Sequence, residues 1–250
     1  PISIALIGGA DITANFRPGT MAISIGMLLS ALAMTWHLVH FHYVKFNKES
    51  MYEVSKKIIL LCIPLLLSAQ FIAGILNEAL DLTDTNQELF ISMSHNIFGV
   101  LSIAIVVPIL EEVLFRGAIE GHLLRKGWSP KWAILVSALI FGIIHGNPAQ
   151  IPFAFLIGLL FGWLYYRTGS LVPGIVGHII NNSFGAWTMF TATREELSQT
   201  TMETLGTTIT YILLVLAIIV FIGMYLYLNK YLPKPTNIQV KAINEQDITI

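Results

Sequence analysis

Residues 96–117 read NIFGVLSIAIVVPILEEVLFRG. The run is apolar from Ile97 to Leu110 apart from Ser102, and then meets two adjacent carboxylates, Glu111 and Glu112, with Arg116 one turn on. A hydrocarbon core takes about 20 apolar residues in a helix. The stretch is therefore read as a membrane span over 96–115 with charge near one end.

Working outward, similar runs recur near 21–43, 58–80, 131–146, 150–166, 171–190 and 207–229. The shorter run ISIALIGG (2–9) reads as the end of a further helix. Of the 250 residues 55% are apolar and 12% charged, and the mean hydropathy is +0.72. Soluble domains carry about 25% charged residues, so lipid is the solvent this composition fits. The expected fold is an all-α, polytopic transmembrane bundle of about eight helices, because lipid-exposed backbone must satisfy its own hydrogen bonds. A net charge of -1 offers nothing to nucleic acid, and a lone Cys62 permits no intramolecular disulfide.

Four segments follow: N-terminal transmembrane helices over 1–95, a core over 96–190, an outer loop and last span over 191–230, and a polar tail over 231–250. With the chain threaded up and down, twelve of the fourteen Lys and Arg residues fall on one side. Only Arg17 and Arg194 fall on the other, where the loops hold Asp81, Asp84, Glu88, Glu195, Glu196 and Glu203. The positive-inside rule makes the lysine-rich side cytoplasmic, C-terminus included, in a multi-pass plasma-membrane protein. The stretch 117–130 is expected along that interface, anchored by Trp128. His37, His40 and His42 beside Trp36 read as an interfacial belt, and Gly158-x-x-x-Gly162 reads as helix packing.

Ionisable residues within spans are functional candidates. Glu112 and Arg116, at i and i+4, share a face and can pair. Glu111, about 100° round the helix, lacks that partner and is the more reactive carboxylate. Pro108 has no N–H and loosens the helix one turn before it. In FGIIHG (141–146) Phe141 and His145 share a face, and Gly142 and Gly146 form a small-xxx-small pair that lets a neighbour approach. In GHIINNS (177–183) His178 and Asn182 share a face, with Asn181 beside them and Pro173, Gly174 and Gly177 ahead. Carboxylates, imidazoles and amides on separate spans can satisfy one another if they converge. They also supply a base for water, an acid/base partner and oxyanion donors. Alternatively Glu and two His make a zinc set with an open position, although HExxH is absent.

These residues resemble the CPBP family of intramembrane proteases, which includes the type II CAAX prenyl endopeptidases and bacterial Abi-type proteins linked to bacteriocin production and self-immunity. The family pattern of EExxxR, FxxxH and HxxxN reads here as Glu111-Glu112-x-x-x-Arg116, Phe141-x-x-x-His145 and His178-x-x-x-Asn182. The resemblance covers about 96–190. It implies that Glu111 activates water with help from His145, that His178 and Asn182 hold the oxyanion, and that Glu112, Arg116, Phe141 and Asn181 support them. The family is commonly called metalloprotease, and a metal, if present, would sit on Glu111, His145 and His178. The reading adopted is metal-free, since one face of each helix is polar and no fixed ligand spacing is present; a divalent metal such as zinc is the alternative. The expected partners are membrane lipid and a peptide or protein substrate, with cleavage near the cytoplasmic side. The role expected is peptide maturation, CAAX-type processing or bacteriocin immunity. The competing readings are a transporter with a proton relay and a non-catalytic immunity or scaffold protein.

One tension concerns depth. At 1.5 Å per residue Glu111 lies about 7 Å from Arg116, His178 about 10 Å from Leu171 and His145 about 20 Å from Lys131. The 131–146 helix is therefore expected to start outside the membrane or to tilt.

Overall fold

The computed structural model describes residues 19–44 and 54–232, which fold into ten helices. They are α1 (Thr20–His40), α2 (Lys56–Glu78), α3 (Gln87–Ser94), α4 (Ile97–Arg125), α5 (Pro130–Ile144), α6 (Ile151–Thr168), α7 (Val172–Thr191), α8 (Arg194–Ser198), α9 (Thr201–Leu205) and α10 (Thr207–Tyr231). The run 2–9, the tail beyond Leu232 and the charges Arg17, Lys45, Lys48, Lys234 and Lys241 lie outside the described residues.

Local chemistry sets the helix ends. The Ser55 side chain accepts from the Ile58 N–H to cap α2, and Pro130 and Pro152 occupy first turns, where a missing N–H is harmless. Gly169, at φ 67°, closes α6 in the left-handed conformation. Five helices are long and apolar enough to cross a membrane: α1, α2, α4, α6 and α10. The protein is thus an integral membrane bundle. α5 is apolar but shorter, and α7 carries His178, Asn181 and Asn182 among its twenty residues.

Two expectations are corrected here. The stretch 117–130 does not lie along an interface as a separate segment. Residues 117–125 continue α4, and Gly117, Glu120 and Gly121 are buried within the bundle. Trp128 is exposed in the turn that follows. The cause is contact with α6: Gly162 leaves room where a Cβ would stand 2.6 Å from Glu120 Oε2. Second, Arg116 and Arg167 are not loop charges. Arg116 is buried against Glu112, and Arg167 is bound to Asn229 and to the carbonyls of Asn229 and Leu232. Removing both leaves, among the described residues, six Lys and Arg residues on the lysine-rich side against Arg194 on the other.

Packing of α5 on α6 uses small residues. Gly158 meets Ala138 and Phe141, and Gly142 meets the backbone of Ile151 and Phe155. Gly146 takes no part in this: it has φ 60° in the turn after α5 and open space beside it. Its value is conformational, since α5 must reverse into α6 within a few residues.

Candidate active site

The site is built on α4. Its helix widens to π geometry over Ser102–Val106 and again over Val113–Glu120, on either side of a regular turn holding Pro108, Glu111 and Glu112. Proline removes one backbone donor from the ladder, and extra-residue widening is a recognised response within helices that carry function. The loosening expected from Pro108 takes this form.

Glu112 and Arg116 form the expected pair at 2.9 Å, each only 1% exposed. Arg116 also donates to the Gly158 carbonyl at 3.2 Å, and its guanidinium lies over Phe141, 4.4 Å from the ring centroid, and Phe161, at 5.3 Å. A buried ion pair survives only when its remaining hydrogen-bonding groups find partners, and α6 and two aromatic faces supply them. α7 approaches Glu112 through Gly174, where a Cβ would stand 2.6 Å from Oε2.

His178 joins the two carboxylates. Its Nδ1 lies 3.1 Å from Glu112 Oε1 and its Nε2 lies 3.4 Å from Glu111 Oε2. Glu112 Oε1, which also accepts from Arg116, accepts from Nδ1 and fixes the ring. Phe141 and Phe161 flank the imidazole, with centroids at 5.8 and 5.3 Å.

His145 caps α5. A carbonyl can only accept, so the 2.7 Å contact of its Nδ1 with the Phe141 carbonyl places a proton there and leaves Nε2 with a lone pair when the ring is neutral. Glu111, His145, His178, Asn181 and Asn182 all line one cavity of about 350 Å3. Asn182 donates from Nδ2 to the Ile103 carbonyl at 2.9 Å and accepts from Asn181 at 3.0 Å. It therefore braces α7 against the widened turn of α4, with one N–H left over.

The depth tension resolves differently from the expectation. α5 does not begin far outside the bundle; α4 is longer than the apolar run suggested. Glu111 stands fourteen residues from Arg125, about 21 Å along the helix. His145 stands fourteen residues from Lys131, again about 21 Å. α7 starts inside the bundle, with Ser170 and Leu171 buried, so His178 needs only two turns to reach the same level. Glu111 is thus at mid-helix and not near the lysine-rich end.

Three contributors were not singled out by the sequence. Phe161 and the Gly158 carbonyl come from α6, which bears no signature residue. Glu120 is fully buried, and neither of its oxygens has a hydrogen-bonding partner; its i+4 spacing from Arg116 was visible but not its burial. Among the described residues, no group of three His, Cys, Asp or Glu side chains is arranged to hold a metal ion.

The fold and site define a membrane-embedded helical bundle with a carboxylate–imidazole centre lining an apolar cavity. Residues 93–184 match the family model described as type II CAAX prenyl endopeptidase Rce1-like. This shows, over that stretch, the family resemblance carried by the three motifs. The chain is 38% identical over 81 residues to the putative membrane peptidase YdiL of Bacillus subtilis (strain 168), covering 32% of this chain and 33% of that protein. It is 33% identical over 106 residues to the membrane-embedded CAAX protease MroQ of Staphylococcus aureus (strain USA300), covering 40% and 42%. It is also 28% identical over 122 residues to the UPF0177 protein YxdF of Lactococcus lactis, covering 48% and 63%. The matched region thus spans between a third and just under two thirds of these relatives. No solved structure matches the chain.

Proposed function

We propose that this protein is an intramembrane endopeptidase in which Glu111 activates water for attack on a peptide carbonyl. The observation that carries this reading is the apposition of Glu111 and His178 in the lining of an apolar cavity, within a domain that matches a protease family. Glu111 takes a proton from water as the oxygen bonds to the carbonyl carbon. The carbonyl π electrons move to oxygen, and the resulting oxyanion accepts from the remaining N–H of Asn182 and, when the His178 ring carries both protons, from its Nε2–H. When the C–N bond breaks, the amine nitrogen receives the proton from Glu111, with His145 Nε2 as the alternative carrier. No step needs a group that this chain does not supply.

Glu112 and Arg116 act one layer behind. Their pairing gives His178 Nδ1 a fixed acceptor, so the second imidazole nitrogen stays aimed at the reacting atoms. Preorganised donors of this kind are worth about 10²–10³ in rate when one is removed. Phe141 and Phe161 hold the imidazole and guanidinium planes, and Asn181 orients Asn182.

Peptide maturation, CAAX-type processing and bacteriocin immunity all call for such an activity. They are separated by comparing the peptides released by a Glu111→Ala strain with those of its parent. The reading requires peptides present in the parent and absent from the variant, while the variant protein persists in the membrane. Identical peptide sets with a folded variant would overturn it.

A further inference from the structure

The lining of the cavity runs in one direction. Along their helices Glu111 lies mid-way down α4 and His178 two turns into α7, Ile103 and Phe153 stand near the starts of α4 and α6, and Asn86 and Gln150 stand in the turns before α3 and α6, which we take as the mouth. From Glu111 the lining runs toward the end of the bundle formed by the turns 79–86, 145–150 and 192–206. Contacts confirm that these turns share an end: Asn77 donates to the Ala149 carbonyl, Thr201 to Glu78, and Asn147 to Asp84. Below the site the opposite end is closed. Val113, Phe115, Arg116 and Leu171 are all 3% exposed or less, and Val44 packs on Val113 and Leu171.

The two ends differ in charge. At the closed end stand Lys56, Lys57, Arg125, Lys126, Lys131 and Lys230. At the mouth end stand Asp81, Asp84, Glu88, Glu195, Glu196 and Glu203, against Arg194, which is itself paired with Glu88. Asp84 accepts from the backbone N–H of Asn86, a mouth residue. Glu196 and Glu203 are held below the usual carboxylate range by backbone N–H and hydroxyl donors of Thr193 and Thr200, so the rim keeps its charge.

We infer that the cavity is served from the non-cytoplasmic face and that its substrate is an apolar peptide segment flanked by lysine or arginine. This rests on the endopeptidase reading and adds to it the side of entry and the character of the substrate. The positive-inside rule assigns the closed, lysine-rich end to the cytoplasm, which puts the open end outside. The cavity wall of Met27, Phe90, Phe153, Ile157 and Met189 suits apolar side chains, and the carboxylates about the mouth attract flanking cations over distances on the order of a Debye length. This entry side replaces the cytoplasmic one expected when Glu111 was placed near the lysine-rich end of its helix.

The full chain is tested in the membrane of a host cell, in a Cys62→Ser background. Glu195→Cys, at the mouth end, should react with a membrane-impermeant maleimide in intact cells, whereas Ser129→Cys, at the closed end, should react only after permeabilisation; the reverse pattern overturns the orientation. The probe for cleavage is a quenched fluorescent leucine–alanine peptide with lysine flanks, coupled to dextran so that it cannot cross the bilayer. Right-side-out vesicles should cleave it in a Glu111-dependent way, and inside-out vesicles only after detergent. Cleavage confined to inside-out vesicles overturns the proposal. A glutamate-flanked version should be cleaved about tenfold more slowly at low salt, the lower bound of electrostatic steering; equal rates overturn the charge preference. Absence of Glu111-dependent cleavage even in detergent would remove the endopeptidase reading and this proposal with it, while the labelling would still report which way the mouth faces.

Discussion

Two layers of α4 contain the same residue types and treat them oppositely. In the upper layer Glu111 faces a cavity, with His178 at 3.4 Å and room for water and substrate. In the lower layer Glu112, Arg116 and Glu120 are sealed, at 1% exposure or less. One residue of helix, about 100° of rotation, separates a carboxylate with a cavity before it from one locked to a guanidinium. The comparison teaches that the proposed base depends on its neighbour: Glu112 takes the arginine, and Glu111 keeps the cavity before it.

The largest expected effect breaks the upper layer. Glu111→Gln should lower turnover of a reporter peptide by about 10²–10⁴-fold, the usual scale for a lost general base, while detergent unfolding stays close to the parent. A variant that keeps its activity means that Glu111 is not the base. Next comes the lower layer. Arg116→Ala leaves Glu112 as a buried, uncompensated charge, and such losses cost about 3–5 kcal/mol. Unfolding in detergent should show it, and Arg116→Lys should recover little, because an ammonium cannot serve Glu112 and the Gly158 carbonyl in one plane. If Arg116→Ala is as stable as the parent but inactive, the two layers are less separate than described.

Glu120→Met sharpens the contrast within the lower layer. Both Glu120 oxygens lack partners, so removing them should raise stability by about 1–3 kcal/mol and leave turnover unchanged. A loss of stability would show that Arg116 depends on Glu120 as well as Glu112. The smallest effect lies outside the membrane. Glu196 and Glu203 close capping boxes with Thr193 and Thr200, and their carboxyls titrate below the ordinary range. The stabilisation of α8 and α9 is therefore present above the unfolded glutamate range and lost as pH falls through the lowered folded values. Hydrogen exchange over 193–205 should rise in acid and lose that pH dependence in the Thr193→Ala, Thr200→Ala double variant.

Much of the site could be read from residue spacing. The Glu112–Arg116 pair follows from i, i+4 geometry alone, and so does the division between it and Glu111. The shared faces of Phe141 with His145 and of His178 with Asn182 were legible for the same reason. The length of α4 was not. Residues 117–125 look too polar to lie within a bundle because Glu120 and Arg116 seem to need water, and nothing in the local pattern shows that Gly162, Gly158 and two aromatic rings from other helices will enclose them. The loop assignment of Arg116 and Arg167 failed likewise: a charge was counted as solvated when its partners lay far along the chain.

The sequence by itself determined that this is an all-helical membrane protein and which residues are candidates for its chemistry, because hydropathy and helical periodicity are local properties. Only the tertiary structure decided that His178 bridges both carboxylates, that Asn182 is tied to the Ile103 carbonyl, and that one cavity is lined from Glu111 to Asn86 and Gln150. Those facts depend on where each helix stops along its neighbours. That is fixed by the partners its buried polar groups find, such as Glu120 beside Gly162 and Arg116 beneath Phe141 and Phe161, and not by the composition of the helix that bears them.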